Sequence, residues 1–295
     1  MKEQEYILEN VKEFEPKHIF ECGQCFRWNK QEDGSYIGVI KDGVLKIIKD
    51  KNNIIIKGLC NGNIKDVCEE YFDLNTNYKD IKEYFSKIDE NLRKSIEYGN
   101  GIRILKQDAW EATISFIISA NNNIPRIKGI IERLSQKYGK KYVWDNKEYY
   151  SFPTVEELSN ATVEELRELG LGFRDERVFE TTKLIQMGKV DLNKLEHMSN
   201  TEDVREELLK LPGVGPKVAN CIMLFSMKKF DVFPIDVWVK KVMTELYGKQ
   251  IENIKISNKK IHNKENAKIL EFANEKFGKL AGIAQQYLFY WRREN

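Results

Sequence analysis

Cysteines are few in this sequence, and their spacing excludes most cysteine-based sites. The five cysteines are Cys22, Cys25, Cys60, Cys68 and Cys221. An odd number at irregular spacing argues against a disulfide framework. Cys22 and Cys25 have the spacing of a redox or metal pair, but no second pair completes four ligands and the only histidine nearby is His18. We therefore predict that Cys22 and Cys25 are two small residues in a strand, with metal or redox use as the weaker alternative.

An excess of one charge and long apolar runs are also lacking. The 48 basic residues nearly balance the 46 acidic ones, which leaves a formal net charge of +2. Dedicated nucleic-acid binders are often strongly basic, so contact with a polyanion would need a local surface rich in Lys and Arg. No stretch approaches the roughly 20 apolar residues that cross a bilayer, and residues 1–5 are polar, unlike a signal peptide. We expect a soluble cytoplasmic protein with no membrane partner.

The first hundred residues have the pattern of a β-rich domain. Three β-branched runs, at residues 36–40, 44–48 and 54–56, are separated by an Asp-Gly turn at 42–43 and by an Asn-containing turn. Short runs of this kind are typical of antiparallel hairpins. We predict an N-terminal antiparallel β-rich domain over residues 1–98.

The apolar spacing becomes helical after about residue 76. Thr154 and Thr162 each begin a capping box, with a glutamate three residues later. Strands followed by helices suggest an α+β protein, with a mainly α-helical region over residues 99–295. We interpret the polar segment 249–264 as an exposed insertion. The predicted helices cover residues 110–120, 124–138, 202–210, 216–227, 236–247 and 286–292.

The most informative stretch is residues 211–219, Leu-Pro-Gly-Val-Gly-Pro-Lys-Val-Ala, between two predicted helices. Gly213 and Gly215 allow a tight turn and the close approach of another molecule. Pro216 and Lys217 then open a helix, whose first N–H groups are unpaired and suit a phosphate. A nearly neutral chain can hold a nucleic acid in this way, although Gly-x-Gly before a helix is also common in ordinary loops.

A second segment strengthens the interpretation of the first. Residues 233–237, Phe-Pro-Ile-Asp-Val, place Asp236 nineteen residues after Lys217. Each of the two residues opens a predicted helix, so both side chains can face one cleft. Asp236 also suits the N-cap of its helix, and the two roles are compatible.

The hairpin followed by Pro-x-Asp resembles the helix-hairpin-helix, Gly-Pro-Asp (HhH-GPD) superfamily of DNA glycosylases, with the helix-hairpin-helix at about 202–227. Within it, the chain is similar to the 8-oxoguanine DNA glycosylase/lyase branch. Four further segments match that branch in order, so the resemblance covers nearly the whole chain. They are residues 23–28 (Gly-Gln-Cys-Phe-Arg-Trp), 121–127 (Asn-Asn-Asn-Ile-Pro-Arg-Ile), 170–174 (Gly-Leu-Gly-Phe-Arg) and 284–289 (Ala-Gln-Gln-Tyr-Leu-Phe).

The resemblance implies a bifunctional repair enzyme that flips 8-oxoguanine out of duplex DNA, excises it and nicks the strand. Lys217 is the implied nucleophile: its amine displaces the base at C1′, and the Schiff base then permits β-elimination. Burial or a neighbouring cation is expected to keep Lys217 neutral, and an anionic Asp236 to stabilise positive charge on the sugar. No cofactor is expected. Because no cysteine follows Cys221, we do not expect the iron–sulfur cluster of pyrimidine-specific relatives.

The resemblance also assigns residues to the lesion base. The carbonyl of Gly23 would accept a hydrogen bond from N7 of 8-oxoguanine and repel the N7 lone pair of guanine. Phe289 would stack on the flipped base, Gln285 would bond its pairing edge, and Cys221 would lie in the same pocket. Without the family, Gly23 is interpreted as a strand-end glycine and Phe289 as a core residue.

A further group is assigned to the DNA around the lesion. Asn121, Arg126 and Arg174 would fill the hole in the duplex and contact the orphaned partner base, which predicts a preference for cytosine. Phe173 would wedge the base stack, with burial behind the Gly170 turn as the alternative. The backbone N–H groups assigned to a DNA phosphate are those of Gly213, Val214, Gly215 and Lys217.

Three positions depart from the family pattern. Trp238 stands where many relatives have histidine, Cys25 where they often have serine, and Phe173 where tyrosine is frequent. Trp238 puts the local phosphate contact in question, though not the chemistry. A structural cation on hairpin carbonyls is possible in similar hairpins; the candidate carbonyls here are those of Leu209, Leu211 and Val214.

Two alternatives remain open at the level of function. The chain can be a glycosylase for another oxidised or alkylated base, or a non-catalytic DNA-binding module built on the same hairpin. Lys217 favours an enzyme over a module. We expect a monomer acting on duplex DNA, associated with the nucleoid if the source is bacterial or archaeal.

Overall fold

The computed structural model describes residues 1–41, 43–255 and 263–295. Within them, a five-stranded antiparallel sheet is followed by helices and one small hairpin. The strands are β1 (Lys2–Leu8), β2 (Trp28–Lys30), β3 (Tyr36–Ile40), β4 (Gly43–Asp50), β5 (Asn53–Cys60), β6 (Lys141–Trp144) and β7 (Lys147–Tyr150). The helices are α1 (Pro16–Phe20), α2 (Ile64–Tyr71), α3 (Tyr78–Ile88), α4 (Glu90–Tyr98), α5 (Ala109–Ser119), α6 (Ile124–Tyr138), α7 (Val155–Leu158), α8 (Val163–Glu168), α9 (Asp175–Gln186), α10 (Leu192–His197), α11 (Thr201–Leu208), α12 (Pro216–Ser226), α13 (Val237–Glu252), α14 (Lys264–Phe277) and α15 (Ala281–Glu294).

The sheet has the strand order β1-β5-β4-β3-β2, and every neighbouring pair is antiparallel. The three predicted runs are therefore confirmed as strands β3, β4 and β5. Alternation along β5 buries Ile54 and Ile56 in the core on one face of the sheet. The other face is covered by the β6–β7 hairpin, whose Trp144 packs against Val39 and Val44. Asp42, in the predicted first turn, lies outside the described residues.

The predicted α+β architecture is confirmed, and most predicted helices differ only at their ends. Helix α6 has the predicted bounds, and Thr154 and Thr162 both form complete capping boxes. Helix α5 is apolar because it is buried along nearly its whole length. The predicted insertion at 249–264 is wrong at its start, since α13 continues to Glu252; residues 256–262 lie outside the described residues.

The predicted strand position of Cys22 and Cys25 is wrong. Both thiols are buried in an irregular segment, residues 21–27, between α1 and β2. Gly23 has φ of +82°, outside the extended region, and interrupts any strand there. None of the five cysteines forms a disulfide within the described residues. This segment carries one half of the site described below.

The boundary predicted between residues 98 and 99 falls within a shared core. Helices α3 and α4 precede residue 99, yet Phe85 and Leu92 are buried in the same apolar cluster as α5, α12 and α15. The sheet has a separate core on its inner face. None of the helices within the described residues is long and apolar enough to span a membrane.

Candidate active site

The hairpin between α11 and α12 forms as the glycine spacing predicts. The Val214 N–H donates to the Leu211 carbonyl across the turn, at 3.0 Å. Gly213 has φ of +84°, which favours glycine. Helix α12 begins at Pro216, and its N-cap, Gly215, has no side chain to cap the first N–H groups. These N–H groups remain suited to an anion, but that of Val214 is engaged within the turn, which corrects its predicted availability to a phosphate.

Gly213 is also packed closely against its neighbours. A Cβ at this position would lie 3.1 Å from Cδ of Arg177 and 3.1 Å from Cγ2 of Ile117. The methylene groups of the Arg177 side chain therefore pack against the hairpin, although Arg177 as a whole is exposed at the surface. Sequence reasoning did not single out Arg177, because its only signal is a lone arginine three residues after Arg174.

The Lys217 side chain is half-buried on the first turn of α12. Its ammonium lies 5.5 Å from the ring centroid of Phe116, on α5. Phe116 is stacked on Phe225 at 5.6 Å and meets the edge of Phe26 at 5.5 Å. An aromatic wall thus faces the lysine, and Phe26 connects that wall to the segment that contains Gly23.

Lys217 and Asp236 lie close to the same buried thiol, that of Cys221. Burial raises the pKa of Cys221; the Lys217 ammonium acts in the opposite direction and lowers it, while the Asp236 carboxylate raises it further. Because both charges act on one sulfur, the two predicted catalytic groups and Cys221 are brought together at the start of α12 and α13.

Asp236 is the N-cap of α13, as the sequence suggested. Its Oδ1 accepts a hydrogen bond from the Val239 N–H at 2.8 Å. This bond fixes the carboxylate at the start of α13 and satisfies one of the free N–H groups of the helix. Among the described residues, no hydrogen bond to Oδ2 is found, so one carboxylate oxygen is left for a ligand.

Gly23 and Phe289 meet at a second part of the site. A Cβ on Gly23 would lie 3.0 Å from Cε1 of Phe289. The neighbouring Gln285 is 4% exposed, and its Oε1 has no hydrogen-bond partner within the described part of the chain. Buried amide oxygens are nearly always paired. This acceptor, beside Gly23 and Phe289, is therefore available to a bound base.

Gln24 holds the Gly23 segment in place and was missed at the sequence level. Its amide nitrogen donates to the carbonyls of Ile19 (2.9 Å) and Arg103 (2.8 Å), and its oxygen accepts from the Leu105 N–H at 2.9 Å. The side chain is fully buried. A polar residue between glycine and cysteine has no periodic pattern, so only the three-dimensional contacts reveal this role.

The residues assigned to the partner base lie at the surface, with one exception. Asn121 has φ of +50° directly after α5 and is exposed. Arg126 is exposed and donates to the Gly170 carbonyl at 3.3 Å. Phe173 is 55% exposed, so the alternative that it is buried behind the Gly170 turn is wrong.

Arg174 is the exception, because its guanidinium is turned inward. It is 2% exposed and donates to the carbonyls of Ala120, Asn121 and Leu171. Ala120 and Asn121 directly follow the end of α5, and Arg174 supplies the hydrogen-bond partner of both carbonyls. In this structure the Arg174 guanidinium supports the Asn121 loop and lies 4.1 Å from the Phe173 ring centroid. Its predicted contact with a partner base stays a prediction.

Metal ligands are scarce around the site. No group of three or more His, Cys, Asp or Glu side chains that could hold a metal occurs within residues 1–41, 43–255 and 263–295. The cation site on the carbonyls of Leu209, Leu211 and Val214 is of a different kind and stays a prediction. The Leu211 carbonyl already accepts the Val214 N–H.

Two family models together match most of the chain. Residues 6–113 match the 8-oxoguanine DNA glycosylase N-terminal domain. Residues 114–271 match the HhH-GPD superfamily of base-excision DNA repair proteins. The second match contains the hairpin, Lys217 and Asp236.

Similar proteins and structures point the same way. The chain is 33% identical to an N-glycosylase/DNA lyase of Saccharomyces cerevisiae, over 92% of this chain and 81% of the yeast protein. It is 45% identical to the apo 8-oxoguanine glycosylase/lyase of Clostridium acetobutylicum, with a TM-score of 0.88 over 98% of both chains. The same clostridial enzyme bound to duplex DNA with cytosine opposite 8-oxoguanine superposes with a TM-score of 0.89, over 100% of this chain and 98% of that one, at 44% identity.

Proposed function

Because the chain belongs to the 8-oxoguanine DNA glycosylase branch of the HhH-GPD superfamily, we propose that it excises the lesion through a Lys217 Schiff base and then cleaves the strand by β-elimination. The enzyme is an 8-oxoguanine DNA N-glycosylase with DNA lyase activity. The observation that supports the mechanism is the placement of Lys217, on the first turn of α12 against Phe116, and of Asp236, at the N-cap of α13, on either side of Cys221. An amine beside a carboxylate, at an uncapped helix start, can attack a sugar whose phosphate is held there.

The steps follow from the two groups. The Lys217 amine forms a bond to C1′ as the bond from C1′ to the base breaks, and the departing 8-oxoguanine anion takes up the proton that the amine releases. The sugar ring then opens to an iminium, with a proton from a water molecule going to O4′. The iminium acidifies the C2′ hydrogen, whose loss expels the 3′ phosphate. Throughout, the Asp236 carboxylate stabilises positive charge on the sugar, and no step uses a metal or redox cofactor.

A panel of lesion duplexes tests the substrate. We expect excision of 8-oxoguanine to exceed that of alkylated purines and of other oxidised bases, because 8-oxoguanine combines an N7 hydrogen for the Gly23 carbonyl with the pairing edge assigned to Gln285. Preference for an alkylated base would favour the alternative substrate class. Binding without excision of any base would favour the non-catalytic module.

Cytosine opposite the lesion is the expected partner base. The clostridial complex contains that pair, and Arg126 and Asn121 are exposed beside the wedge residue Phe173. A good bidentate contact contributes about 1–3 kcal/mol of discrimination, or roughly 10- to 100-fold. We predict that kcat/KM is higher opposite cytosine than opposite adenine, and that Arg126→Ala narrows the difference. Equal kcat/KM opposite the two bases would contradict this prediction.

A limited phosphate footprint is expected for duplex DNA, since the net charge is only +2. We include Arg177, which makes no ion pair among the described residues, rests on Gly213 and lies 5.2 Å from the Phe173 ring. Counterion release gives a log–log salt slope of about −0.9 per phosphate. Arg177→Ala should therefore make the slope less steep by about one.

A matched control for that experiment is Lys189→Ala. Lys189 is exposed beyond the opposite end of α9, and its loss changes the net charge by the same amount. The log–log salt slope of Lys189→Ala should equal that of the wild type. An unchanged slope for Arg177→Ala, or an equal change for both variants, would remove Arg177 from the footprint.

A monomeric, cytoplasmic enzyme stays our expectation.

A further inference from the structure

Two side chains of α15 hold the backbone just before Gly23. The Gln286 amide nitrogen donates to the Cys22 carbonyl at 2.6 Å. The Arg293 guanidinium donates through Nη2 to the Glu21 carbonyl. Gln286 and Arg293 are seven residues apart, close to two helical turns, so both project from one face of α15. Consecutive carbonyls of the Gly23 segment are thus tied to the helix that carries Phe289.

Arg293 also lies directly against Gly23. Its Nη1 would be 3.0 Å from a Cβ at that position, and its guanidinium carbon is 5.5 Å from the Phe289 ring centroid. Its side chain is only 15% exposed, and Nη1 is buried with no hydrogen-bond partner found among the described residues. Its acidic neighbour, Glu294, pairs with Nη2 at 2.8 Å rather than with Nη1. The cation is therefore packed into the site instead of projecting into water.

The same segment is fixed from its other side by Gln24, whose side chain binds the Ile19 and Arg103 carbonyls. Gly23 lies between these two sets of bonds. A hydrogen bond weakens steeply with distance and angle. The Gly23 carbonyl must bind the N7 hydrogen of 8-oxoguanine and repel the N7 lone pair of guanine, so its position has to be held closely. The Gln286 and Arg293 side chains of α15 supply that restraint.

We propose that Arg293, assisted by Gln286, is a positioning residue that fixes the Gly23 carbonyl beside Phe289 and so sets the selectivity between 8-oxoguanine and guanine. This inference rests on the proposed function, in which Gly23 reads N7. Without the bonds from Arg293 and Gln286, the Gly23 carbonyl can move. It then moves away from the N7 lone pair of guanine, and its hydrogen bond to 8-oxoguanine becomes longer. Recognition of the base is lost, whereas the chemistry of Lys217 at the sugar is retained.

The test compares Arg293→Met with the wild type on duplexes containing 8-oxoguanine or an abasic site. An abasic site has no base to recognise, so its incision reports Lys217 alone. We expect kcat/KM for 8-oxoguanine to fall roughly 10-fold or more, the size of a lost hydrogen bond, with abasic incision within about 2-fold of the wild type. For Gln286→Met, kcat/KM for 8-oxoguanine should also fall. Arg293→Lys, which keeps one donor, should recover part of the loss.

Selectivity is measured by binding in the inactive Lys217→Gln background. The ratio of Kd for guanine to Kd for 8-oxoguanine should fall when Arg293→Met is added. The matched control is Arg292→Met: the adjacent arginine pairs with Glu245 at 2.8 Å and should leave the ratio unchanged. Equal losses on both substrates with a lowered Tm, or an unchanged ratio, would overturn the positioning role. Absence of abasic incision by the wild type would instead count against the proposed function.

Discussion

Lys217→Gln is expected to bind 8-oxoguanine duplexes and to lose excision by at least about 10³-fold, because removing a covalent nucleophile removes the pathway and not only a contact. Glutamine has a similar length but no amine that forms an imine. The variant should also lose incision of abasic sites, since both reactions pass through the same Schiff base. Single-turnover excision and abasic incision measure the two losses.

Lys217→Arg separates the nucleophile from its charge. Arginine keeps a cation beside Cys221 and Phe116 but stays protonated in proteins, so it should be as inactive as glutamine while binding DNA as tightly as the wild type. Residual excision within about tenfold of the wild type in either variant would mean that another group or a water molecule attacks C1′.

Asp236→Asn is expected to reduce excision by about 10²- to 10³-fold, the usual size of a lost electrostatic contribution to a transition state. Asparagine is as good an N-cap as aspartate, so the bond to the Val239 N–H is retained. The Tm should therefore change little. Single-turnover rates on 8-oxoguanine, with Tm measured in parallel, check both halves of this expectation.

Asp236→Ala is the companion variant. It removes the charge and the cap together, so it should match the asparagine variant in rate and lose about 1 kcal/mol of stability in addition. If Asp236→Asn were as active as the wild type and only Asp236→Ala were impaired, the carboxylate would serve the helix alone.

Much of the fold could be predicted because its signals are local. The β-branched runs of β3 to β5, the capping boxes at Thr154 and Thr162, and the Gly-x-Gly turn before Pro216 each encode their structure within a few residues. The positions of Lys217 and Asp236 are also encoded locally, since each residue lies at the start of a helix. The structure accordingly brings these two together.

Other features depend on contacts that are distant in sequence. Strand β1 begins with four polar or charged residues, 2–5, and is a strand because it pairs with β5 at the edge of the sheet. The polarity of Arg174 suggests a surface role, yet the unsatisfied carbonyls after α5 draw it inward. Arg293 acts on a backbone 272 residues earlier. No periodicity or motif in a single sequence reports such partners.

Mapping of the borohydride-trapped complex tests most directly whether Lys217 forms the covalent intermediate. The wild-type protein is incubated with an 8-oxoguanine duplex, reduced with borohydride and digested, and the DNA-bearing peptide is identified by mass spectrometry. We predict a single modified peptide, with the sugar remnant on Lys217. A remnant on another lysine or on the N-terminal amine, or no trapped complex while excision proceeds, would contradict it.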